Sequence, residues 1–233
     1  MSKYSPDLIT IDNKIDNLKE CEEKFYGWWV LGKISKMADD IKKEFGEFVL
    51  MSSNFADYTN SRHVKEMFAI TGFLEKSENT KIYEENFKRV EFLFKEFVKA
   101  AKEISQKGIK VVFRPHPSES ISKIQEYFSG YDNIVVSSDH DVAPWILASK
   151  AVIHNCCTVG LEAAFMKKNT IAYTPNSVSQ YKLNTVNKIA KVAFNEDELL
   201  DGIFSPAEFH PSMMNLDGYL IDKISLDDIV NAL

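Results

Sequence analysis

The pattern Arg114-Pro115-His116-Pro117 combines two side chains that can bind phosphate with two residues that stiffen the backbone. Proline fixes its own φ and disfavours helical geometry in the residue before it, so Arg114 and His116 are expected to be extended, with preset directions. Arginine and histidine held in this way suit a phosphate group. We therefore predict a catalytic role for His116 and a substrate-binding role for Arg114. The alternative is a proline-rich strand exit whose histidine caps the next helix.

The two residues that follow this pattern, Ser118 and Glu119, fit either the start of a helix or a ligand contact. Ser118 is of a type that caps helices, and Glu119 would then lie in the first turn. For Glu119 the structural interpretation is favoured.

A second pattern, Thr158-Val159-Gly160, is predicted to open a helix directly after a short apolar run. Free backbone amides at these three residues, with the Thr158 hydroxyl, could bind a phosphate. The alternative is an N-cap threonine with a glycine needed for close helix–sheet packing. Glu162, one turn further on, could reach the hydroxyls of a ribose or compensate the helix dipole.

Further polar residues lie at the predicted ends of strands. Ser53 and Asn54 follow the run Phe48-Val49-Leu50-Met51, and their side chains suit either a turn or a ligand contact. His154 ends another apolar run and is either a buried histidine or a ligand contact. We count all three as candidate substrate-binding residues. A thiol nucleophile at Cys156 or Cys157 is not expected, because no base partner lies at a defined spacing.

Hydrophobic periodicity indicates the elements that position these residues. It predicts strands over 48–51, 109–113, 133–136, 151–153 and 170–173, and helices over 33–45, 80–106, 119–128, 141–148 and 158–167, with a short helix from 196 and a final one from 225. Alternating strands and helices predict a doubly wound parallel α/β sheet of Rossmann-like type. Ligands of such sheets bind outside the carboxyl ends of the strands. We expect a partly helical N-terminal appendage over 1–45 and one Rossmann-like domain over 46–233, which the resemblance described below implies to be nucleotide-sugar-binding.

Composition excludes several classes of function. The 233 residues carry a net charge of −6, which argues against a nucleic-acid partner. No apolar stretch predicts a transmembrane segment or a signal peptide, so we expect a cytoplasmic protein, with peripheral association at the inner face of the membrane left open. Asp139 and Asp141 follow a predicted strand without a third ligand in view. No metal site and no cofactor are therefore expected.

The chain resembles bacterial surface-carbohydrate biosynthesis proteins of the GT-B glycosyltransferase type over about residues 46–175. The strings that carry this resemblance are residues 48–55, 113–119, 145–149 and 152–163. The His-Pro pair is also similar to the motif of sialyltransferases, polysialyltransferases and Kdo transferases, which use CMP-activated sugars. The resemblance implies that His116 contacts the donor phosphate, that the helix near Thr158 holds the nucleotide phosphate, and that Glu162 meets the ribose. GT-B enzymes have two Rossmann-like domains, and this chain resembles the C-terminal, donor-binding one.

These inferences lead to a hypothesis of glycosyl transfer from a nucleotide-sugar donor, CMP-linked, in surface or capsule polysaccharide biosynthesis. The acceptor would be a glycan or a lipid-linked molecule. A partner chain or a missing N-terminal domain would complete the active site. The alternatives are a non-catalytic nucleotide-sugar-binding subunit of a polysaccharide assembly and an enzyme similar to a sugar-nucleotide epimerase.

Overall fold

A computed structural model describes residues 33–139, 141–155, 157–166, 168–175 and 190–205. The strands are β1 (Phe48–Ser52), β2 (Lys110–Arg114), β3 (Ile134–Val136), β4 (Ala151–His154), β5 (Thr170–Tyr173) and β6 (Lys191–Ala193). The helices are α1 (33–45), α2 (Ala56–Thr59), α3 (Ser61–Ile70), α4 (Ser77–Gln106), α5 (Ile121–Tyr127), α6 (Val142–Ala148), α7 (Val159–Phe165) and α8 (Glu196–Phe204), with a 3-10 turn at Phe73–Glu75.

The six strands form one parallel sheet in the order β3-β2-β1-β4-β5-β6. This is the strand order of the doubly wound Rossmann fold, and it confirms the predicted fold class. The chain leaves β1 towards β2 and β3, then returns across the sheet to β4 on the other side of β1. The reversal of direction lies between β1 and β4, where ligands of such sheets bind.

Each face of the sheet is covered by its own set of helices. Val49 and Met51 of β1 belong to the core beneath α4, α5 and α8, whereas Phe48 and Leu50 belong to the core beneath α1, α6 and α7. All five residues of β1 are therefore buried. A continuous apolar strand of this kind is what a parallel sheet covered on both faces requires.

The longest helix, α4, packs on one face of the sheet through a stripe of apolar residues. Its thirty residues bury Phe94, Phe97, Ala101 and Ile104 at close to helical spacing. The helix ends before Gly108, whose φ of +82° strains any residue with a side chain. The chain then enters β2 at Lys110.

Some expectations need correction or fall outside the described residues. The loop after β1 contains the short helix α2, and β6 is a strand that periodicity does not predict. Ser118 is not the N-cap of α5, because the helix starts later and Ser120 Oγ accepts the N–H of Lys123 at 3.4 Å. The final helix predicted from 225 lies outside the described residues. Among the described helices, none combines the length and apolar character that crossing a membrane requires.

Candidate functional site

The carboxyl ends of three neighbouring strands lie level with one another. Ser52, the last residue of β1, pairs in register with Arg114 of β2 on one side and with His154 of β4 on the other. Because adjacent strands lie about 4.8 Å apart, the backbones of Arg114 and His154 are about 10 Å from each other. The loops that follow these residues form the edges of the crevice at the reversal point.

The loops after β1 and β2 are joined by a buried carboxylate. Glu119 is 6% exposed, and its Oε2 accepts hydrogen bonds from Ser53 Oγ and from the backbone N–H of His116, both at 2.7 Å. The Ser53 N–H also donates to the carbonyl oxygen of Arg114 at 3.0 Å. Burial raises the pKa of Glu119, and the surrounding hydrogen bonds oppose that rise. Ser53, predicted as a substrate-binding residue, is itself buried by these contacts.

The imidazole of His116 is exposed and oriented by its own loop. The backbone N–H of Ser118 points to His116 Nδ1 at 3.2 Å, and Ser118 Oγ lies 2.6 Å from the same atom. An N–H can only donate, so Nδ1 accepts and the proton of the neutral ring is on Nε2. Asn60 Nδ2 holds the carbonyl oxygen of Ser118 at 2.9 Å. His116 therefore offers a hydrogen-bond donor at Nε2, on an exposed ring.

Arg114 is half-buried and anchored to the loop that follows β3. Its Nη1 donates to the backbone carbonyl oxygen of Asp139 at 2.9 Å, and the same oxygen accepts Trp145 Nε1 at 2.7 Å. Burial lowers the pKa of Arg114, while the carboxylates of Asp139, Asp141 and Glu162 oppose that change. An arginine shifted downward from so high a pKa still carries its charge at neutral pH.

Glu162 comes close enough to Arg114 for the two charges to influence each other. Burial raises the pKa of the half-buried Glu162, Arg114 lowers it, and Asp141 raises it. The structure thus brings together one residue from the end of β2 and one from α7, as the sequence hypothesis requires. Among the described residues, no group of three or more His, Cys, Asp or Glu side chains could hold a metal ion.

The start of α7 differs from the expected cradle of free amides. The Gly160 N–H donates to the carbonyl oxygen of Cys157 at 3.0 Å, so the prediction of a free amide there is wrong. The side chain of Thr158 is exposed and forms no capping hydrogen bond, while Val159 is half-buried against the sheet. Burial raises the pKa of the Cys157 thiol, which lies 3.7 Å from Ser52 Oγ. A thiol in that state is a poor nucleophile.

Two further predicted residues have contrasting positions. His154 is fully buried, and burial lowers its pKa to about 4, so the ring is neutral near pH 7. It lies beneath the crevice rather than at its surface. Asn54 is exposed, and its carbonyl oxygen accepts Asn155 Nδ2 at 3.4 Å, which connects the loops after β1 and β4.

Three residues that organise the site were not predicted to belong to it. Asp139 acts through a backbone carbonyl, which no side-chain pattern reveals. Trp145 lies in an apolar helix, and its ring packs against Phe45 and Phe48 as core tryptophans do. The sequence favours Glu119 as an acidic residue of the first helical turn. In the structure Glu119 precedes α5, and its hydrogen-bond donors come from the loops after β1 and β2. The proline-flanked histidine beside it was the signal that could have indicated its role.

Comparison with known proteins gives likenesses to solved structures only. No protein-family model and no curated protein matches the chain. A Methanocaldococcus jannaschii UDP-GlcNAc 2-epimerase in complex with UDP-GlcNAc and UDP is 13% identical, with a TM-score of 0.45 over 76% of this chain and 45% of that one. The wall teichoic acid polymerase TagF, as a variant soaked with CDPG, is 15% identical, with a TM-score of 0.44 over 81% of this chain and 41% of that one. The chain spans less than half the length of either protein.

Proposed function

We propose that this chain binds a CMP-linked sugar and is the donor-binding half of a bacterial surface-polysaccharide glycosyltransferase. The observation that supports this most is that Arg114, at the end of β2, and Glu162, on α7, lie near enough at the reversal point for their charges to interact, while the exposed ring of His116 follows on the same loop as Arg114. A cation and a carboxylate at one end of the sheet suit a ligand that offers both an anion and hydroxyl groups, as a nucleotide does.

In the proposed reaction, the bond between the anomeric carbon and the donor phosphate breaks as the acceptor hydroxyl forms a new bond to that carbon. Negative charge then grows on the leaving phosphate. Arg114 and the Nε2–H of His116 would donate to its oxygens, which stabilises the charge where it develops. Glu162 would accept hydrogen bonds from the ribose hydroxyls. We assign two further tasks to a partner chain or a further domain. One is the base that takes the proton of the acceptor hydroxyl, and the other is the binding of a glycan or lipid-linked acceptor.

Arg114 is held in place before the ligand arrives. Its hydrogen bond to the Asp139 carbonyl is shared with Trp145, whose ring is buried in the core. Because the guanidinium is already ordered, less side-chain entropy is lost on binding. The nearby carboxylates of Asp141 and Glu162 temper its charge, and we infer from this that a monoanionic or diester phosphate is preferred over a highly charged one.

A thermal-shift panel with CMP, CDP, UMP and UDP tests the binding step. A ligand at 100 times its Kd stabilises the fold by about 2.7 kcal/mol, which for a chain of this length is about 5–10 °C in Tm. We expect the cytidine nucleotides to give the larger shift. His116→Ala and Arg114→Gln should lose most of it while remaining folded. Glu103→Gln, at the surface of α4 where the carboxylate pairs with Lys99 at 3.9 Å, is the matched control and should respond like the wild type.

The outcomes separate the parts of the proposal. Absence of a shift with all four nucleotides would overturn the donor-site assignment. A normal shift in His116→Ala and Arg114→Gln would remove those residues from the site. Retained binding of a CMP-sugar with no transfer even after a partner that supplies the acceptor half is added would favour the non-catalytic subunit. Conversion of a UDP-sugar to its epimer would favour the epimerase-like alternative.

A further inference from the structure

Glu119 is a buried carboxylate whose hydrogen-bond donors all come from the loops at the edge of the crevice. Ser53 Oγ and the His116 N–H reach its Oε2 at 2.7 Å each. The other oxygen, Oε1, is buried without a hydrogen-bond partner among the described residues, and the nearby Thr59 hydroxyl donates to the Phe55 carbonyl oxygen at 3.1 Å. Of the two donors to Oε2, Ser53 belongs to the segment after β1 and His116 follows β2. A single side chain therefore spans the two loops.

The chemistry of this arrangement favours a carboxylate. A carboxylate only accepts hydrogen bonds, and here two donors converge on its Oε2. A glutamine could accept both donors through its one oxygen, but without a full charge, and its NH₂ group would be buried at the place of Oε1, which has no partner among the described residues. Burial of an acidic side chain against donors from two loops points to a role in the shape of those loops.

The turn that carries His116 is closed at both ends by Glu119. The Glu119 N–H donates to the carbonyl oxygen of His116 at 2.8 Å, and the carboxylate takes the His116 N–H in return. Inside this closed turn, the Ser118 N–H points to Nδ1 of the imidazole. The backbone bond and the ring orientation are therefore parts of one small network.

We propose that Glu119 is a positioning residue that clamps the loops after β1 and β2 together, so that His116 presents its Nε2–H to the crevice. Glu119 acts through His116 and does not touch the ligand. The role in ligand binding rests on the proposed function, whereas the clamp itself can be tested without any ligand. Loss of one charge-assisted hydrogen bond is expected to weaken the preference for the observed turn by about tenfold or more.

Imidazole ¹⁵N NMR of uniformly labelled protein tests the clamp directly. The His116 signals are assigned by their loss in His116→Ala. In the wild type they should show the Nε2–H tautomer, and in Glu119→Gln they should move towards the average of both tautomers. Ser53→Ala removes the link to the loop after β1 but keeps the bond between His116 and Glu119, so its His116 signals should move in the same direction by a smaller amount. Glu103→Gln, away from the clamp, should leave them unchanged.

The binding arm uses CMP and CDP with the same proteins. We expect Glu119→Gln to weaken nucleotide binding by about tenfold, and Ser53→Ala by less than about threefold. A folded Glu119→Gln with unchanged His116 signals and unchanged affinity would overturn the proposal. If Glu119→Gln does not fold, Glu119→Asp replaces it, because aspartate keeps the charge but is too short to reach both donors. Unchanged His116 signals and unchanged nucleotide affinity in Glu119→Asp would overturn the proposal.

The two proposals fail in distinguishable ways. If the wild type binds no nucleotide, the proposed function fails, and the NMR arm still decides whether Glu119 orients His116. If nucleotides bind to the wild type and to Glu119→Gln equally well, the site stands and Glu119 loses its positioning role.

Discussion

The buried imidazole of His154 makes the stability of the fold depend on pH. Burial lowers its pKa from 6.5 to about 4. A folded state that resists protonation is stabilised above the unfolded pKa and loses that stability as the pH falls, because the unfolded chain binds the proton more readily. The difference between the two pKa values corresponds to about 3 kcal/mol of stability, lost as the pH falls from about 6.5 to 4.

Guanidinium denaturation between pH 4 and pH 7 measures this loss in the wild type and in His154→Asn and His154→Leu. Glu119 and Glu162 have raised pKa values, so they change the stability in the opposite direction, but they are present in all three proteins and cancel in the comparison. From pH 7 to pH 4, the free energy of unfolding of the wild type should fall by about 3 kcal/mol relative to that of either variant. His63→Asn, at an exposed histidine on α3, is the control. A difference between wild type and both His154 variants that stays constant within about 0.5 kcal/mol would refute the reasoning.

Two further predictions concern the N-cap of α8 and the buried thiol at the start of α7. Asn195 caps α8 by accepting the Glu198 N–H at 2.9 Å, so Asn195→Ala should cost about 1 kcal/mol and lower Tm by about 2–4 °C in calorimetry; an unchanged Tm would contradict the cap. Cys157 is buried with a raised pKa. In a Cys21→Ser, Cys156→Ser protein, its thiol should react with an aromatic disulfide reagent only after denaturant is added, and rapid reaction of the native protein would show that the thiol is accessible.

The parts of the fold that could be predicted from sequence have strong local signals. β1 is a continuous apolar run, and α4 repeats its apolar residues at helical spacing over thirty residues. The short helix α2 could not be predicted because its sequence, Ala56-Asp57-Tyr58-Thr59, lies in a stretch of turn-forming residues. β6 is only three residues long and is defined by pairing with β5.

In the candidate site, too, the residues marked by a local sequence pattern could be predicted, whereas contacts between residues distant in the chain could not. Arg114 and His116 could be placed at a strand end because the prolines mark the exit of the chain from β2. The partners of Glu119 could not, since Ser53 lies 66 residues away and its approach depends on the packing of two strands. The anchor of Arg114 was also hidden, because a backbone carbonyl has no signature in the sequence.

The clamped loops after β1 and β2 have a consequence for how the crevice would adapt to ligands of different size. On one side of the crevice, the loops after β1 and β2 are held together by two hydrogen bonds of 2.7 Å to the Glu119 carboxylate. On the other side, the loop after β4 is connected to the loop after β1 by a longer hydrogen bond, of 3.4 Å, from Asn155 to Asn54. Longer hydrogen bonds are weaker. We therefore expect the loop after β4 to move before the other two when a larger ligand binds. The phosphate of the ligand would then contact a rigid surface, and the rest of the ligand would contact a surface that can adjust to its size.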